Sequence, residues 1–262
     1  MYSTDYTIRY SECGASQELK IVNIFHYLQD VADEHALKMG IAAGELRDQG
    51  YSWVLYRYGI RIHRYPLRGE RITIETWPWM HRNLYEMRAF NVYDEQGRVL
   101  FEANTCWLMV DVEKGNPVRL NRTPYVDILK GEKKEGTLEL EEIPDLTEHE
   151  AEIRFRVRLH DLDTNRHVNN AIYPEWAIET IPKWTESRGL TGNMMKLRPS
   201  SIEVNYKSSA FYGDMVLCST AMISDDTEDP VFVHKIRRAS DNAELARLRT
   251  TWKSYTRDGQ FS

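Results

Sequence analysis

Residues 19–39 read LKIVNIFHYLQDVADEHALKM. Val22, Phe25, Leu28, Ala32 and Met39 recur near helical spacing, so one stripe of a long helix is apolar and has to be buried against something. Gly40 follows as a stop, because glycine readily takes the left-handed conformation that ends helices. Upstream, Tyr6–Tyr10 alternates as a strand does. Downstream come four runs rich in β-branched and aromatic residues, Trp53–His63, Arg71–Pro78, Leu84–Tyr93 and Val99–Val112. The last two flank Asp94-Glu95-Gln96-Gly97, a hairpin turn sequence. The order is strand, long helix, antiparallel strands.

The chain then repeats itself. Ile153–Leu159 alternates, Ala171–Ser187 has helical length and spacing with Gly189 after it, and strands are expected at Ser201–Ser208, Met215–Ile223, Val231–Ala239 and Glu244–Tyr255. Individual residues recur as well. Glu12 and Gly14 fall on Asp161 and Asp163 at an offset of 149, Gly69-Glu70 on Gly213-Asp214 at 144, and Thr105 and Trp107 on Thr250 and Trp252 at 145. Offsets that drift by a few residues are what loop-length differences between two copies of one domain produce. Between the copies, Lys130–Glu152 is dense in charge and carries Pro144 and two glycines, the composition of a solvated connector. The expected organisation is an N-terminal domain over 1–129, a linker over 130–152 and a C-terminal domain over 153–262. Burying both a helix stripe and the inner face of a twisted sheet requires the sheet to wrap the helix. The expected class is therefore α+β, a tandem double hotdog in which each half is a long helix wrapped by an antiparallel sheet.

Composition narrows the function. With 262 residues and 42% hydrophobic side chains, two cores can form without disulfides or a metal. Thirty-four basic against 40 acidic residues leave a net charge of −6, which argues against nucleic-acid binding but allows a local basic patch facing an acidic partner. Cys13, Cys106 and Cys218 are odd in number and lack CxxC spacing, which argues against a disulfide framework or zinc ribbon and for a reducing compartment. The first residues carry charge without an apolar signal core, and no stretch approaches the roughly 18 apolar residues of a spanning helix. The expectation is a soluble, cytoplasmic chain without membrane contact.

One stretch is polar beyond what a turn needs: His160-Asp161-Leu162-Asp163-Thr164-Asn165-Arg166-His167-Val168-Asn169-Asn170, between a strand and the second long helix. Asp163, Asn165 and His167 are spaced two apart, so in an extended loop an acid, an amide and an imidazole would project to one side. Asn169 or Asn170 would cap the helix, whose first N–H groups suit an oxyanion. Asp and Asn also crowd loops because they hydrogen-bond local backbone, so any one of these residues has a structural alternative. Six Asp, Asn and His residues between Asp161 and Asn170 favour a functional cluster. Although His160, Asp161, Asp163 and His167 are all ligand types, no HExxH or EF-hand spacing is present, and neither a metal nor a cofactor is expected.

The run DLDTNRHVNNAIYPEW at 161–176 resembles the DLDxNxHVNNxxYxxW signature of plant and bacterial acyl-ACP thioesterases. The likeness extends to residues 6–36 and 53–77, and to Arg88–Val112 with its Trp-containing strand. The resemblance implies two hotdog domains and hydrolysis of the thioester joining a fatty acyl chain to acyl carrier protein. It places Asp163, Asn165 and His167 on the family's catalytic Asp, Asn and His. The family also has a Glu, followed in plants by a Cys, on a later strand. Here Ser209 stands in place of that Glu and Ala210 in place of the Cys. The resemblance therefore excludes a Cys nucleophile, and leaves the Glu's role lost, passed to Ser209, or taken by water.

On this reading Asp163 activates a water or attacks directly, and Asn165 orients the water or the acyl carbonyl. His167 polarises the site or protonates the leaving thiolate, and the N–H of Val168 or Asn169 stabilises the oxyanion. The first copy offers only Gly14, Ser16 and Glu18 at these positions, so its expected task is to hold the acyl chain. Trp53, Trp77 and Met80, with Tyr173 and Trp176 from the second copy, are the expected substrate-binding residues, with ordinary core packing as the alternative for each. The expected partner is acyl carrier protein bearing a fatty acyl-phosphopantetheine. Because that carrier is acidic, Lys183, Arg188, Lys196, Arg198 and Lys207 are its docking candidates. An acyl-CoA thioesterase and a non-hydrolytic acyl-thioester-binding hotdog protein remain as alternatives, and homodimerisation stays open.

Overall fold

The computed structural model describes residues 1–189, 197–224, 229–255 and 261. The chain divides into two compact units, Met1–Arg61 with Tyr65–Leu140, and Ile62–Arg64 with Glu141–Ser262.

The first unit contains β1 (Tyr2–Thr7), α1 (Ile21–Lys38), α2 (Ala43–Arg47), β2 (Tyr51–Ile62), β3 (Arg71–His81), β4 (Tyr85–Asp94) and β5 (Val99–Asp111). Its strands lie in the order β1-β3-β4-β5-β2. The second unit contains β6 (Ala151–Arg156), α3 (Ile172–Glu186), β7 (Leu197–Tyr206), β8 (Met215–Met222), β9 (Val231–Arg238) and β10 (Glu244–Ser254), in the order β6-β8-β9-β10-β7. The two orders are the same when β6 is matched to β1 and the remaining strands follow in turn. Register repeats as well: Tyr2 pairs with Thr76, and Ala151 with Thr220.

In each unit the helix buries one stripe. Ile24, Leu28, Val31 and His35 of α1 are buried, as are Tyr173, Trp176, Ala177, Ile181 and Trp184 of α3. The sheet supplies the other wall through alternate residues, such as Ile72, Ile74 and Thr76 of β3.

Two expectations are corrected, for the first strand and the linker, and one short helix was not anticipated. The first strand begins at Tyr2 and ends at Thr7, because the Glu12 carboxylate accepts the N–H of Arg9 at 2.8 Å and winds Tyr10–Glu12 into a 3₁₀ turn. The helix α2 has five residues, too few to show a period. The stretch read as a solvated linker, 130–152, is instead laid against the sheets. In the first unit Leu138 is buried and its carbonyl accepts from Asn104 Nδ2 at 2.8 Å. In the second, Ile143 and Leu146 pack on Ala221 and Val233, while Asp145 binds Lys235 at 2.9 Å and Arg247 at 2.7 Å. A sheet whose outer rows include apolar residues needs a cover, and these three aliphatic side chains provide one despite the charges around them.

Candidate active site

The polar stretch is built on an ion pair between an exposed arginine and a buried carboxylate. After β6, Arg158 donates its backbone N–H to Asp161 Oδ2 at 2.7 Å, and its guanidinium reaches Asp161 Oδ1 through Nη2 at 2.7 Å and Nε at 3.0 Å. Asp161 is buried, and its carbonyl accepts the N–H of Asn169 at 2.8 Å. Leu162 and Val168 then face each other as an antiparallel bridge, and the five residues between them reverse the chain.

This reversal corrects the expectation of an extended loop. Asp163 N–H donates to His167 O at 2.8 Å, Arg166 N–H donates to Asp163 O at 3.0 Å, and Arg166 takes a φ of 63°. Two-apart spacing no longer puts three side chains on one side, because the backbone turns between them. What the turn does bring together is the Asp163 carboxylate and its neighbours: Oδ1 accepts the N–H groups of Asn165 at 2.8 Å and His167 at 3.3 Å. Among the described residues Oδ2 takes no hydrogen bond. Asn165 is exposed, while His167 is half-buried with its ring edge-on to Phe211 at 5.0 Å between centroids.

The expected oxyanion donors are already engaged. Val168 N–H donates to Ala210 O at 3.0 Å, and that of Asn169 to Asp161 O. The cap position of α3 is Ala171, whose N–H is held by Asn169 Oδ1 at 2.9 Å from two residues upstream. The N–H of Asn170 has no acceptor among the described residues, and the carbonyl of Asn170 accepts from Tyr206 Oη at 2.9 Å.

A second loop, which sequence reasoning entered only through Ser209 and Ala210, is laid against the first. Ala210 donates its N–H to Tyr173 Oη at 3.1 Å, Ser209 O accepts from Arg238 Nη2 at 2.7 Å, and Phe211 forms a bridge with His167. The repeated Gly-acid pair at Gly213-Asp214 was its signal: the Asp214 carboxylate accepts the N–H of Phe211 at 3.0 Å and closes the turn.

The five expected substrate-binding residues fall into separate groups. Tyr173 and Trp176 form an aromatic floor beneath the loop, edge to face at 5.4 Å, with Phe155 stacked on Trp176. Burial, reinforced by the charges of Asp163 and Asp214 and opposed by Ala210 N–H and Arg238, pushes the Tyr173 phenol up to about 12. It therefore stays protonated. In the first unit Trp53 and Met80 pack on the cluster of Ile41, Leu46 and Met109. Trp77 is not with them. It is an odd number of residues from Met80 on β3 and so faces away from α1, where it borders a cavity of about 250 Å³ under residues 134–138.

Among the described residues no group of three or more His, Cys, Asp and Glu side chains is arranged to hold a metal ion, and no helix is long and apolar enough to cross a membrane.

Residues 1–125 match the family model described as the acyl-ACP thioesterase N-terminal domain, and residues 145–254 the acyl-ACP thioesterase C-terminal domain. The chain belongs to the acyl-ACP thioesterase family. Among its relatives, a palmitoyl-acyl carrier protein thioesterase of Arabidopsis thaliana is 25% identical over 274 residues, covering 98% of this chain. A cotton (Gossypium hirsutum) enzyme of the same description is 27% identical over 278 residues, covering 97% of this chain. The chain spans 65% of the length of the first and 64% of the second. Two solved structures share its fold. An acyl-ACP thioesterase from Bacteroides thetaiotaomicron has a TM-score of 0.83 at 20% identity, covering 96% of this chain and 97% of that one. The 12:0-ACP thioesterase from Umbellularia californica has a TM-score of 0.79 at 21% identity, covering 97% and 94%. The fold is the hotdog of this thioesterase family, and the class is α+β.

Proposed function

We propose that the protein hydrolyses the thioester of fatty acyl-acyl carrier protein, releasing the free fatty acid and ending chain elongation, with Asp163, Asn165 and His167 as its catalytic residues. The observation that carries this reading is the state of Asp163: one carboxylate oxygen is fixed by two backbone N–H groups and the other takes no hydrogen bond among the described residues, in a turn shared with His167.

A thioester carbonyl is electrophilic and its thiolate leaves readily, so one positioned base is enough to start the reaction. Asp163 Oδ2 takes a proton from water as the water oxygen bonds to the carbonyl carbon. The carbon–sulfur bond then breaks, His167 gives a proton to the departing sulfur, and the products are the carboxylic acid and the free pantetheine thiol. Asn165 orients the water or the acyl carbonyl. Because the N–H groups of Val168 and Asn169 are engaged, the oxyanion is assigned instead to the N–H of Asn170, at the start of α3. Ser209, in the loop that contacts this turn, offers a hydroxyl but no carboxylate, so the burden of base catalysis rests on Asp163. Tyr173 and Trp176 line the floor for the acyl thioester, and the first unit, with Trp53 and Met80, holds the chain. The three cysteines are unpaired thiols, in keeping with work in a reducing cytoplasm.

Thiol release from acyl carrier proteins bearing acyl groups of different length tests this directly. Asp163→Asn keeps an oxygen acceptor for the two N–H groups but removes the base, so it should lower kcat by about 10³-fold while leaving Tm close to that of the parent. Asp163→Ala should lose activity and also loosen the turn. Asp163→Asn turning over at the parental rate would remove Asp163 from the mechanism.

A further inference from the structure

A chain of net charge −6 repels an acidic carrier unless part of its surface reverses the sign. The cations of the second unit differ in how far their charge is already engaged. The residues expected from sequence are engaged: Arg188 is held by Glu150 at 2.5 Å, Lys207 by Glu244 at 2.9 Å, and Lys183 donates to the carbonyl of Glu152 at 2.7 Å. Arg198 donates to the carbonyl of Leu197 at 3.0 Å, and Lys196 lies outside the described residues. By contrast Arg154, Arg156 and Arg166 are exposed and have no ion-pair partner among the described residues.

These three arginines border the candidate active site. Arg154 and Arg156 sit two apart on β6, the edge strand of its unit, and point away from α3 because Phe155 between them stacks on Trp176. The end of β6 is tied to the second loop by Val157 N–H to Asp214 O at 2.9 Å and Gly213 N–H to Val157 O at 3.2 Å, and that loop bridges to His167 through Phe211. Arg166 is at the tip of the catalytic turn. Large apolar side chains are exposed in the same place: Leu159 at 66%, Tyr212 at 56% and Phe211 at 47%. Three nearby carboxylates are paired, Glu152 with Arg237 at 3.0 Å, Asp161 with Arg158 and Asp214 with Arg238, while Asp163 has no ion-pair partner among the described residues and is the carboxylate of the candidate site itself. The first copy has Asp5, Thr7 and Gln17 at the positions of these arginines, so the feature is not demanded by the fold.

We propose that Arg154, Arg156 and Arg166, with Leu159, Phe211 and Tyr212, form the surface on which the acidic acyl carrier protein docks, its pantetheine arm entering beside His167. This rests on the hydrolytic reading above. Charges around the edge of such a contact act on encounter and register, and their effect fades with salt.

The test compares Arg154→Glu/Arg156→Glu with the parent on acyl carrier protein and on acyl-pantetheine, which has the thioester but no carrier. At low salt, KM for the carrier-bound substrate should rise about tenfold, acyl-pantetheine turnover should be unchanged, and Arg154→Lys/Arg156→Lys should stay near the parent. At high salt the gap should narrow. An unmoved KM, or equal losses on both substrates, overturns the proposal. Binding of labelled holo-acyl carrier protein, read by fluorescence anisotropy, separates this from hydrolysis. If the parent cleaves no acyl thioester, the hydrolytic reading falls, and docking stands only if the double glutamate variant still binds the carrier about tenfold more weakly.

Discussion

The bend at Gly14 in the first unit and the bend at Asp163 in the second are the same bend. Gly14 N–H donates to Glu18 O at 2.9 Å as Asp163 N–H does to His167 O, Gln17 takes a φ of 67° where Arg166 takes 63°, and Leu19 N–H donates to Pro66 O as Val168 N–H does to Ala210 O. Lys20 N–H reaches Glu12 O at 3.0 Å in place of Asn169 and Asp161. The first copy makes this turn with no carboxylate at its centre and no imidazole at its end. The turn therefore does not require Asp163, Asn165 or His167, and the ordinary explanation of loop Asp and Asn residues, that they organise local backbone, is weakened by a control inside the same chain.

A second comparison concerns the cores. At matching places beneath the helices the second unit pairs Trp184 with Phe232 edge to face at 4.9 Å, whereas the first places His35 Nδ1 3.0 Å from Arg88 Nη1, with Arg88 Nη2 3.0 Å from Glu86 Oε1. Both members of the Glu86–Arg88 pair are buried, and desolvation pushes the Glu86 carboxyl up against the pull of Arg88. Removing one partner of a buried pair strands the other, so Arg88→Ala should cost about 3–5 kcal/mol in urea unfolding. Converting the first core to the pattern of the second, with His35→Trp, Glu86→Leu and Arg88→Phe together, should recover most of that loss. If Arg88→Ala costs under about 1 kcal/mol, the two cores are energetically alike and the contrast is superficial.

The contrast also marks what a sequence can disclose. Helix stripes and strand alternation were legible because burial imposes a period, and offsets that aligned Glu12 with Asp161 and Trp107 with Trp252 anticipated shared hydrogen bonds. Trp107 Nε1 donates to Thr105 Oγ1 at 2.8 Å, and Trp252 Nε1 to Thr250 Oγ1 at 2.9 Å. The candidate residues of the site could be chosen by type, but their mutual geometry could not. Neither Arg166 nor Gln17 advertises a positive φ as glycine would. The commitment of Val168 N–H depends on Ala210, forty-odd residues away in sequence and adjacent only after folding. Leu138, Ile143 and Leu146 were hidden by the charges around them, since no regular period connects three residues of an irregular strap.

Each unit buries one histidine in a different way, and acid separates the two. In the second unit Thr180 Oγ1 donates to Ala177 O at 2.6 Å, so the Thr220 hydroxyl donates to Thr180 at 2.5 Å. His234 Nδ1–H must then donate to Thr220 at 2.7 Å, leaving Nε2 to accept from Thr250 at 2.9 Å. That chain requires a neutral ring, and burial lowers His234 to about 3. Burial, with Arg88, the amino terminus and Lys38, lowers His35 to about 4. Both folded values lie below the unfolded value of about 6.5, so the unfolded state takes up protons first. Stability should hold above pH 6.5 and fall as pH drops through the window towards 4, by about 1.4 kcal/mol per pH unit for each histidine. His234→Gln should flatten roughly half of that slope in urea titrations across the window. An unchanged slope would mean that His234 charges in the folded state.

The finest distinction is between two threonines that hold equivalent tryptophans. Thr250→Val removes the acceptor of Trp252, which is 6% exposed, and the donor to His234, which is fully buried, so two buried polar groups lose their partner at once. Thr105→Val removes the acceptor of Trp107, which is half-buried and can turn to water, and the donor to the Arg88 carbonyl at 3.2 Å, a weak contact. Leaving a buried group unsatisfied costs more than losing a hydrogen bond that water can replace. Thr250→Val should therefore cost about 2–3 kcal/mol and Thr105→Val about 1 kcal/mol in parallel denaturation curves. Equal costs would mean that the threonine and tryptophan alone carry the interaction, and that His234 and the hydroxyl chain behind it add nothing to the second core.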